Sequence, residues 1–334
     1  MKDSVIIQSY GSEAEYKRAI FSIWSFYAYV KLPIEQTQVI LFTDHPDYFS
    51  VYLKELPVKY ILLTPEKLKN MRGKIDFVHR VKIAAIDESF NYCSGNLLYI
   101  DSDTFFIDDA TPILKRISAN HTFMHKNEYQ LKELKSLKLP AGETFHIWYD
   151  YVMSKSFQLT DGTTIQISPN QSSWNAGVII LHLSHRALLR DVYSLTDDFF
   201  PHTQNVGCEQ YAFSIVLERN TSVEPCENFV YHYWLPIKKK IVDLFLDTRI
   251  TLTWANQTLS EKGRIIKEWS LVLPNFIENH VYMIQYKAIQ AFHDDKFLKG
   301  YAFALKALAK RPLFLNFYSE IGYHVKRNLK FIFR

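Results

Sequence analysis

Long apolar runs are missing from this sequence. No stretch approaches the roughly 20 consecutive apolar residues that cross a bilayer, and the opening Met1–Lys17 turns polar too soon for a secretory signal. Cysteine is scarce. Cys93, Cys208 and Cys226 are odd in number and widely separated, with neither metal-ligand spacing nor a disulfide framework, which suits a reducing compartment. A cytoplasmic location is therefore expected, and the N-x-S/T sequons at Asn120, Asn170, Asn220 and Asn256 are expected to stay unglycosylated. Glycine is scarce as well, at 10 residues, and neither G-x-G-x-x-G nor G-x-x-x-x-G-K-S/T occurs, which argues against a standard dinucleotide fold and a P-loop enzyme. A large excess of one charge is also lacking. The formal net charge of +4 gives no reason to expect nucleic acid as a partner. Internal repeats and low-complexity linkers are absent too.

What is present fits a globular chain of 334 residues with 48% hydrophobic residues, long enough to bury a large core. Aromatic residues are abundant, with 21 Tyr and 24 Phe, and serve core packing or stacking on sugar rings and bases equally well. The first half alternates short apolar runs with helical periodicity. Val5–Gln8, Val39–Phe42, Tyr60–Leu63 and Asn96–Ile100 predict strands, and Glu13–Val30 and Phe77–Phe90 predict helices. Such a pattern implies an α/β fold with a mainly parallel sheet covered on both faces. Ligands in such sheets bind beyond the carboxyl ends of the strands, which places Ser9, Tyr10, Asp44 and the segment 101–103 on one rim.

In the second half, Val178–Leu183 predicts another buried strand, a helical stretch runs from His185 to about Phe199, Tyr211–Leu217 is helical, and Asn228–Trp234 has the character of an aromatic-rich strand. A helical and basic pattern begins near Met283. From Tyr286 to Arg334 there are ten basic against three acidic residues, +7, which leaves −3 for the rest of the chain. There Phe317, Ile321, Val325 and Leu329 alternate with Lys326, Arg327 and Lys330. Basic amphipathic helices of this kind lie on anionic membranes, or dock on the protein body with their charges in water. The expected division is a catalytic domain over residues 1–250 and a mainly helical basic extension over 251–334.

The central chemical signal is Leu97-Leu98-Tyr99-Ile100-Asp101-Ser102-Asp103. Eighteen aspartates in this chain produce about one D-x-D by chance, so the tripeptide draws its value from position. An apolar strand delivers Asp101 and Asp103 at its carboxyl end, on the rim where an α/β sheet holds its ligand. Oxygen ligands there suit Mn²⁺ or Mg²⁺, and a divalent ion stabilises a diphosphate leaving group. A turn with a solvated acidic pair is the other explanation.

On this motif the chain resembles nucleotide-diphospho-sugar transferases of the glycosyltransferase A-type fold, nearest to family 8, over roughly residues 1–250. That resemblance implies a Rossmann-like mixed sheet flanked by helices, with a helical C-terminal extension. It rests on several segments in order. Arg80 or Lys82, on the helix before the D-x-D strand, corresponds to a basic residue that faces the donor, although an exposed basic helix face explains either one alone. Ser173-Trp174-Asn175-Ala176-Gly177-Val178 is similar to the family's N-A-G-V stretch, with Asn175 placed to hydrogen-bond donor-sugar hydroxyls. Glu209-Gln210 stands where an Asp-Gln pair is usual, with Gln210 nearest the anomeric centre. His232 is similar to the late histidine that completes the metal site with Asp101 and Asp103, although any one of twelve histidines is more often packed or exposed. The usual His-x-x-Gly-x-x-Lys-Pro continuation is replaced by Leu235-Pro236-Ile237 and the lysines Lys238, Lys239 and Lys240. Ser9, Tyr10, Asp44 and Ser102 complete the expected donor contacts.

The implied activity is metal-dependent transfer of a sugar from a nucleoside-diphosphate sugar to an acceptor hydroxyl on a glycan or lipid-linked acceptor, with retention of anomeric configuration. The expected location is cytoplasmic, with the basic tail as a peripheral contact at the inner membrane face. Two other functions use the same features: a sugar nucleotidyltransferase, which usually carries a glycine-rich loop after the first strand, and a non-catalytic binding module for nucleotide sugars or glycans. Substrate choice is expected to reside in residues 124–171.

Overall fold

The computed structural model describes residues 2–136, 142–312 and 315–332. Residues 137–141 of the expected substrate-selecting segment lie outside the described residues, as do Arg334 and the side chains of Leu329 and Lys330 in the basic tail. Two compact units divide the chain, one of residues 1–232 and 250–267 and the other of residues 233–249 and 268–334.

In chain order the first unit holds β1 (Asp3–Gln8), α1 (Glu13–Tyr29), β2 (Thr37–Thr43), α2 (Pro46–Leu53), β3 (Val58–Leu62), α3 (Pro65–Arg72), α4 (Arg80–Ser89), β4 (Leu97–Ile100) and β5 (Thr104–Phe106). A one-turn α5 (Thr111–Leu114) leads to β6 (His121–Met124), β7 (Asn127–Gln130) and α6 (Gly142–Met153). The hairpin β8 (Ser156–Gln158) and β9 (Thr164–Gln166) precedes β10 (Ser172–Trp174), β11 (Val178–Leu181), α7 (Leu189–Thr203), α8 (Cys208–Asn220), β12 (Ser222–Pro225) and β13 (Val230–His232).

Among the described residues seven strands make one sheet in the order β12-β6-β11-β4-β1-β2-β3. Consecutive residues of β2, β4 and β11 are buried without alternation, as strands covered on both faces require. The sheet is mixed. β1, β2, β3 and β4 run parallel to one another, and β12 runs parallel to β6. β11, however, is antiparallel to both β4 and β6. The pairings are mainly parallel, as the alternation of strands and helices implies, and the reversal at β11 makes the sheet mixed, as the resemblance implies; the short run Val178–Leu181 itself carries no local signal of direction.

Element edges moved where turns intervene. The helix expected from Phe77 starts at Arg80, and Phe77 stacks on Phe200 instead, with ring centroids 4.1 Å apart. A 3₁₀ segment, Leu183–Leu188, precedes α7. α1 is buried along most of its length. It begins at Ser12, whose hydroxyl caps Glu15 N–H, and carries Glu13 and Glu15 in its first turn, where acidic groups complement the helix dipole.

The second unit is helical. α9 (Pro236–Asp247) belongs to it, the short α10 (Leu252–Ala255) to the first unit, and α11 (Leu259–Asn279) has residues assigned to each. α12 (Val281–His293), α13 (Phe297–Lys310) and α14 (Leu315–Ile332) follow, packed around Ile284, Ala288, Phe292, Ala304, Ala307 and Phe317. Among the described residues no helix is long and apolar enough to cross a membrane.

Candidate active site

Asp101 leaves β4 in a tight turn. Its N–H donates to Gly177 O at 2.8 Å, and its own carbonyl accepts from Thr104 N at 3.2 Å and Thr104 Oγ1 at 2.8 Å. The chain then enters β5, which α1 holds in place. Ser25 Oγ accepts from Phe106 N at 2.8 Å, and Phe21 packs on Phe105 with centroids 5.2 Å apart. β13 pairs antiparallel with β5 and sets His232 opposite Thr104. This register brings the imidazole beside the carboxylate one residue earlier, and His232 Nε2 lies 3.4 Å from Asp103 Oδ1. One ligand atom from each of Asp101, Asp103 and His232 falls within 4.8 Å of the others.

The histidine is oriented by the N-A-G loop. Asn175 Oδ1 accepts from Gly177 N at 3.0 Å, which fixes that atom as the oxygen. The same oxygen lies 2.8 Å from His232 Nδ1. Nδ1 must therefore carry the proton, and in the neutral ring the lone pair falls on Nε2, on the side of Asp103. Gly177 makes the room. A Cβ built there would lie 2.2 Å from His232 Cε1 and 2.3 Å from Nδ1, so the absent side chain is the seat of the ring.

Lys82 lies beneath the loop, 4% exposed. Its ammonium donates to Ala176 O at 3.0 Å, Asp101 Oδ2 at 3.2 Å and Glu209 Oε1 at 3.2 Å. Burial works against the charge on Lys82, but the carboxylates of Asp101 and Glu209 outweigh it and raise its pKa above the ordinary value. The other oxygen of Asp101 accepts from Tyr99 OH at 2.7 Å, and burial together with the charge of Asp101 pushes that phenol well above its usual range. Asp101 is thus held by a cation and a hydroxyl, with lone pairs to spare for a further ligand.

Gln210 lies in the first turn of α8, its Oε1 accepting from Ala176 N at 3.2 Å and its Nε2 donating to Ser173 Oγ at 3.1 Å. Glu128, on β7, was not singled out from sequence. It accepts from Asn175 Nδ2 and from Gln210 Nε2, each at 3.0 Å. Tyr99 was likewise missed, because it reads as one more apolar position of the strand.

The structure thus brings together Asp101, Asp103, His232, Asn175, Lys82, Glu209 and Gln210. Arg80 is placed elsewhere. It makes a two-pronged pair with Asp197 at 2.7 and 3.1 Å, donates to Met71 O at 2.9 Å, and lies over the Tyr193 ring. Trp174 is core, 6% exposed, with its indole N–H on Glu218 at 2.6 Å.

Ser9, Tyr10, Asp44 and Ser102 lie at the carboxyl ends of β1, β2 and β4. Asp44 accepts from Gly11 N at 3.0 Å and Tyr16 OH at 2.8 Å; burial, then that contact, pushes Tyr16 up to about 12. Ser102 Oγ donates to Glu15 at 2.7 Å. Ser9 Oγ is buried and makes no hydrogen bond among the described residues. Tyr10 is half-buried, and burial raises its hydroxyl against the opposing charge of Arg72. In the second unit, Lys238 pairs with Glu278 at 3.4 Å and Lys240 lies over the Tyr282 ring. Within residues 124–171 there is a cleft of ≈ 540 Å³ edged by Lys135, Tyr149, Asp150, Lys155 and Gln166.

Two carboxylates and an imidazole with Nε2 turned inward suit a divalent cation of the Mn²⁺ or Mg²⁺ type, and the mixed oxygen and nitrogen set favours Mn²⁺. The bond from Nδ1 to Asn175 is the outer support that metal-ligating histidines need.

No protein-family model matches the chain, and no curated protein matches it. Several solved structures are similar in overall course. Mouse xyloside xylosyltransferase 1, in its apo form, is 11% identical with a TM-score of 0.44, covering 68% of this chain and 85% of that one. The galactosyltransferase LgtC, in complex with donor and acceptor sugar analogs, is 12% identical with a TM-score of 0.45, covering 80% and 95%. The glycosyltransferase GlyE of Streptococcus pneumoniae TIGR4 is 12% identical with a TM-score of 0.40, covering 83% and 62%. At such scores the likeness assigns no activity.

Proposed function

We propose that this chain is a metal-dependent glycosyltransferase that moves a sugar from a nucleoside-diphosphate sugar to an acceptor hydroxyl, with retention of anomeric configuration. The observation that carries the proposal is the convergence of Asp101, Asp103 and His232 on one point, with His232 held in the Nδ1–H tautomer by Asn175. A divalent cation held there supplies charge neutralisation to a departing nucleoside diphosphate. The chain's own residues do the rest. Lys82 anchors Asp101 and Glu209 under the N-A-G loop. Gln210 and Asn175 present amide groups beside the metal ligands, where hydroxyls of a donor sugar would lie. Ser9, Tyr10 and Asp44, at the adjoining strand ends, are the proposed nucleoside contacts, and the cleft edged by Lys135 and Lys155 is the proposed acceptor side.

The test is a panel of nucleotide sugars incubated with the protein and Mn²⁺, with and without chelator, reading the released phosphate species. Chelator-sensitive nucleoside diphosphate from one donor is the expected result. Pyrophosphate in its place would assign a nucleotidyltransferase, donor binding without turnover a binding module, and no binding of any donor would sink the nucleotide-sugar function.

The acceptor is proposed to be a glycan or a lipid-linked sugar met at an anionic membrane, and the second unit supports this. On α13, Leu298 is 89% and Leu305 69% exposed. Ala302 and Ala309 continue their stripe, which the exposed Lys299 and Lys306 flank, a pattern suited to an anionic lipid surface. The three cysteines are free thiols, in keeping with the proposed location at the cytoplasmic face. Co-sedimentation should occur with vesicles containing phosphatidylglycerol and not with phosphatidylcholine alone, and it should weaken with added salt. Replacing both leucines, Leu298→Glu with Leu305→Glu, is expected to weaken binding about 10- to 100-fold. Unchanged sedimentation would remove the membrane from the proposal.

A further inference from the structure

We infer that Glu128 is a positioning residue that, jointly with the backbone N–H groups of Gly177 and Ala176, fixes the tautomer of His232 and the pose of Gln210 by accepting from two amide groups. Gly177 N–H makes Asn175 Oδ1 an acceptor, and Ala176 N–H does the same for Gln210 Oε1. Backbone N–H groups donate and cannot accept, so neither amide can flip without setting donor against donor. Both NH₂ groups must then point the other way, and both meet Glu128, with Asn175 Nδ2 on Oε1 and Gln210 Nε2 on Oε2 at 3.0 Å each.

A carboxylate accepts at both oxygens and so satisfies both amides; a carboxamide of the same shape offers one acceptor and one donor. The effect reaches the ligand site through one more bond, because Asn175 Oδ1 is the partner of His232 Nδ1 at 2.8 Å. An Asn175 amide turned to suit a changed neighbour would present NH₂ to Nδ1. The proton would then move to Nε2, the nitrogen that faces Asp103 at 3.4 Å. Glu128 comes to this position because β7 pairs with β10 antiparallel, with a bulge between Ser173 and Trp174, so that it lies beside the start of the N-A-G loop.

Three variants test this: Glu128→Gln, Asn175→Asp, and the two combined. The single changes each set like groups against each other across the pair. The double change exchanges the roles. The new amide donates to the new carboxylate and still accepts from Gln210, while the new carboxylate still accepts from Gly177 and His232, with the total charge unchanged.

The first readout is the tautomer of His232 by ¹⁵N NMR in the metal-free protein: Nδ1–H in wild type and in the double variant, with an Nε2–H population in Glu128→Gln. The second is Mn²⁺ affinity by calorimetry without donor, expected to fall about 10- to 100-fold in each single variant and to return to within about 3-fold of wild type in the double. Wild-type tautomer and affinity in both single variants would overturn the inference, as would a double variant no better than the combined losses. If a single variant does not fold, the double decides alone: folded with Nδ1–H it supports the inference, and otherwise it sinks it. The inference rests on the proposed transferase only through its metal arm. A wild-type protein that binds no Mn²⁺ would remove that function and leave the tautomer result to decide the role of Glu128.

Discussion

Asp103→Ala is expected to lower metal-dependent turnover on the order of 10³-fold while costing the metal-free protein little stability. Asp103 is 4% exposed and lies with Asp101 in a group whose ligand atoms are within 4.8 Å of one another. Two carboxylates that close repel each other until a cation lies between them, so the loss of one removes a source of repulsion along with its contact to His232. Residues kept for a reaction commonly cost stability in just this way. Thermal melting with and without Mn²⁺ checks both halves of the prediction. Wild type should gain about 2.7 kcal/mol when the ion is present at a hundred times its dissociation constant, and the variant should gain next to nothing. A metal-free melting point lowered by more than about 4 °C would show that Asp103 is structural, and undiminished turnover would remove it from the ligand set.

Lys82→Met is the second large effect, and it falls on stability. Lys82 holds Asp101 and Glu209 at 3.2 Å each, with Glu209 also 4% exposed. Removing one partner of a buried charge cluster costs about 3–5 kcal/mol, because the remaining charges stay buried and uncompensated. The pKa of Lys82 is raised in the folded protein, which sets the pH dependence. A base with a folded pKa above its unfolded one contributes its full stability below the unfolded value and loses it as pH rises through the folded value. The gap between wild type and Lys82→Met should therefore be complete at neutral pH and close only as pH rises beyond the ordinary lysine value of 10.5. Denaturant unfolding of both proteins from neutral pH to about pH 11 measures this gap. A gap that is absent at neutral pH, or that widens in alkali, would show that Lys82 is not the cation holding the cluster.

How far the site was legible in the sequence differs from residue to residue. Asp101 and Asp103 could be located because four apolar residues followed by a polar pair mark the end of a buried strand, and a buried strand end marks a rim. His232 had no such local mark. It enters through resemblance to other proteins, and what seats it is the register of β13 on β5, a pairing between segments far apart in the sequence. Arg80 and Lys82 were equal candidates in sequence. Two helix positions apart is about 200° around the axis, so the pair must face nearly opposite ways, and only the sheet behind α4 decides which points inward. In the structure Lys82 does, and Arg80 is turned to Asp197. Glu128 was illegible because its partners are two amides on other elements, and a half-buried glutamate in a short strand has no distinguishing pattern. The parallel part of the sheet followed from alternation of strand and helix, whereas the reversal at β11 belongs to long-range topology that an apolar run does not encode.

The hydrogen that residue 177 carries in place of a side chain has a consequence for descent. Because a methyl group there would stand 2.2 Å from the imidazole, positions 177 and 232 are expected to change together. A relative of this chain with alanine at the first position has no berth for a ring at the second, and under the proposed function would have to find its third metal ligand elsewhere or give the ion up. Reading those two columns together in any collection of related sequences should therefore sort metal-keeping lineages from metal-free ones before a single protein is purified.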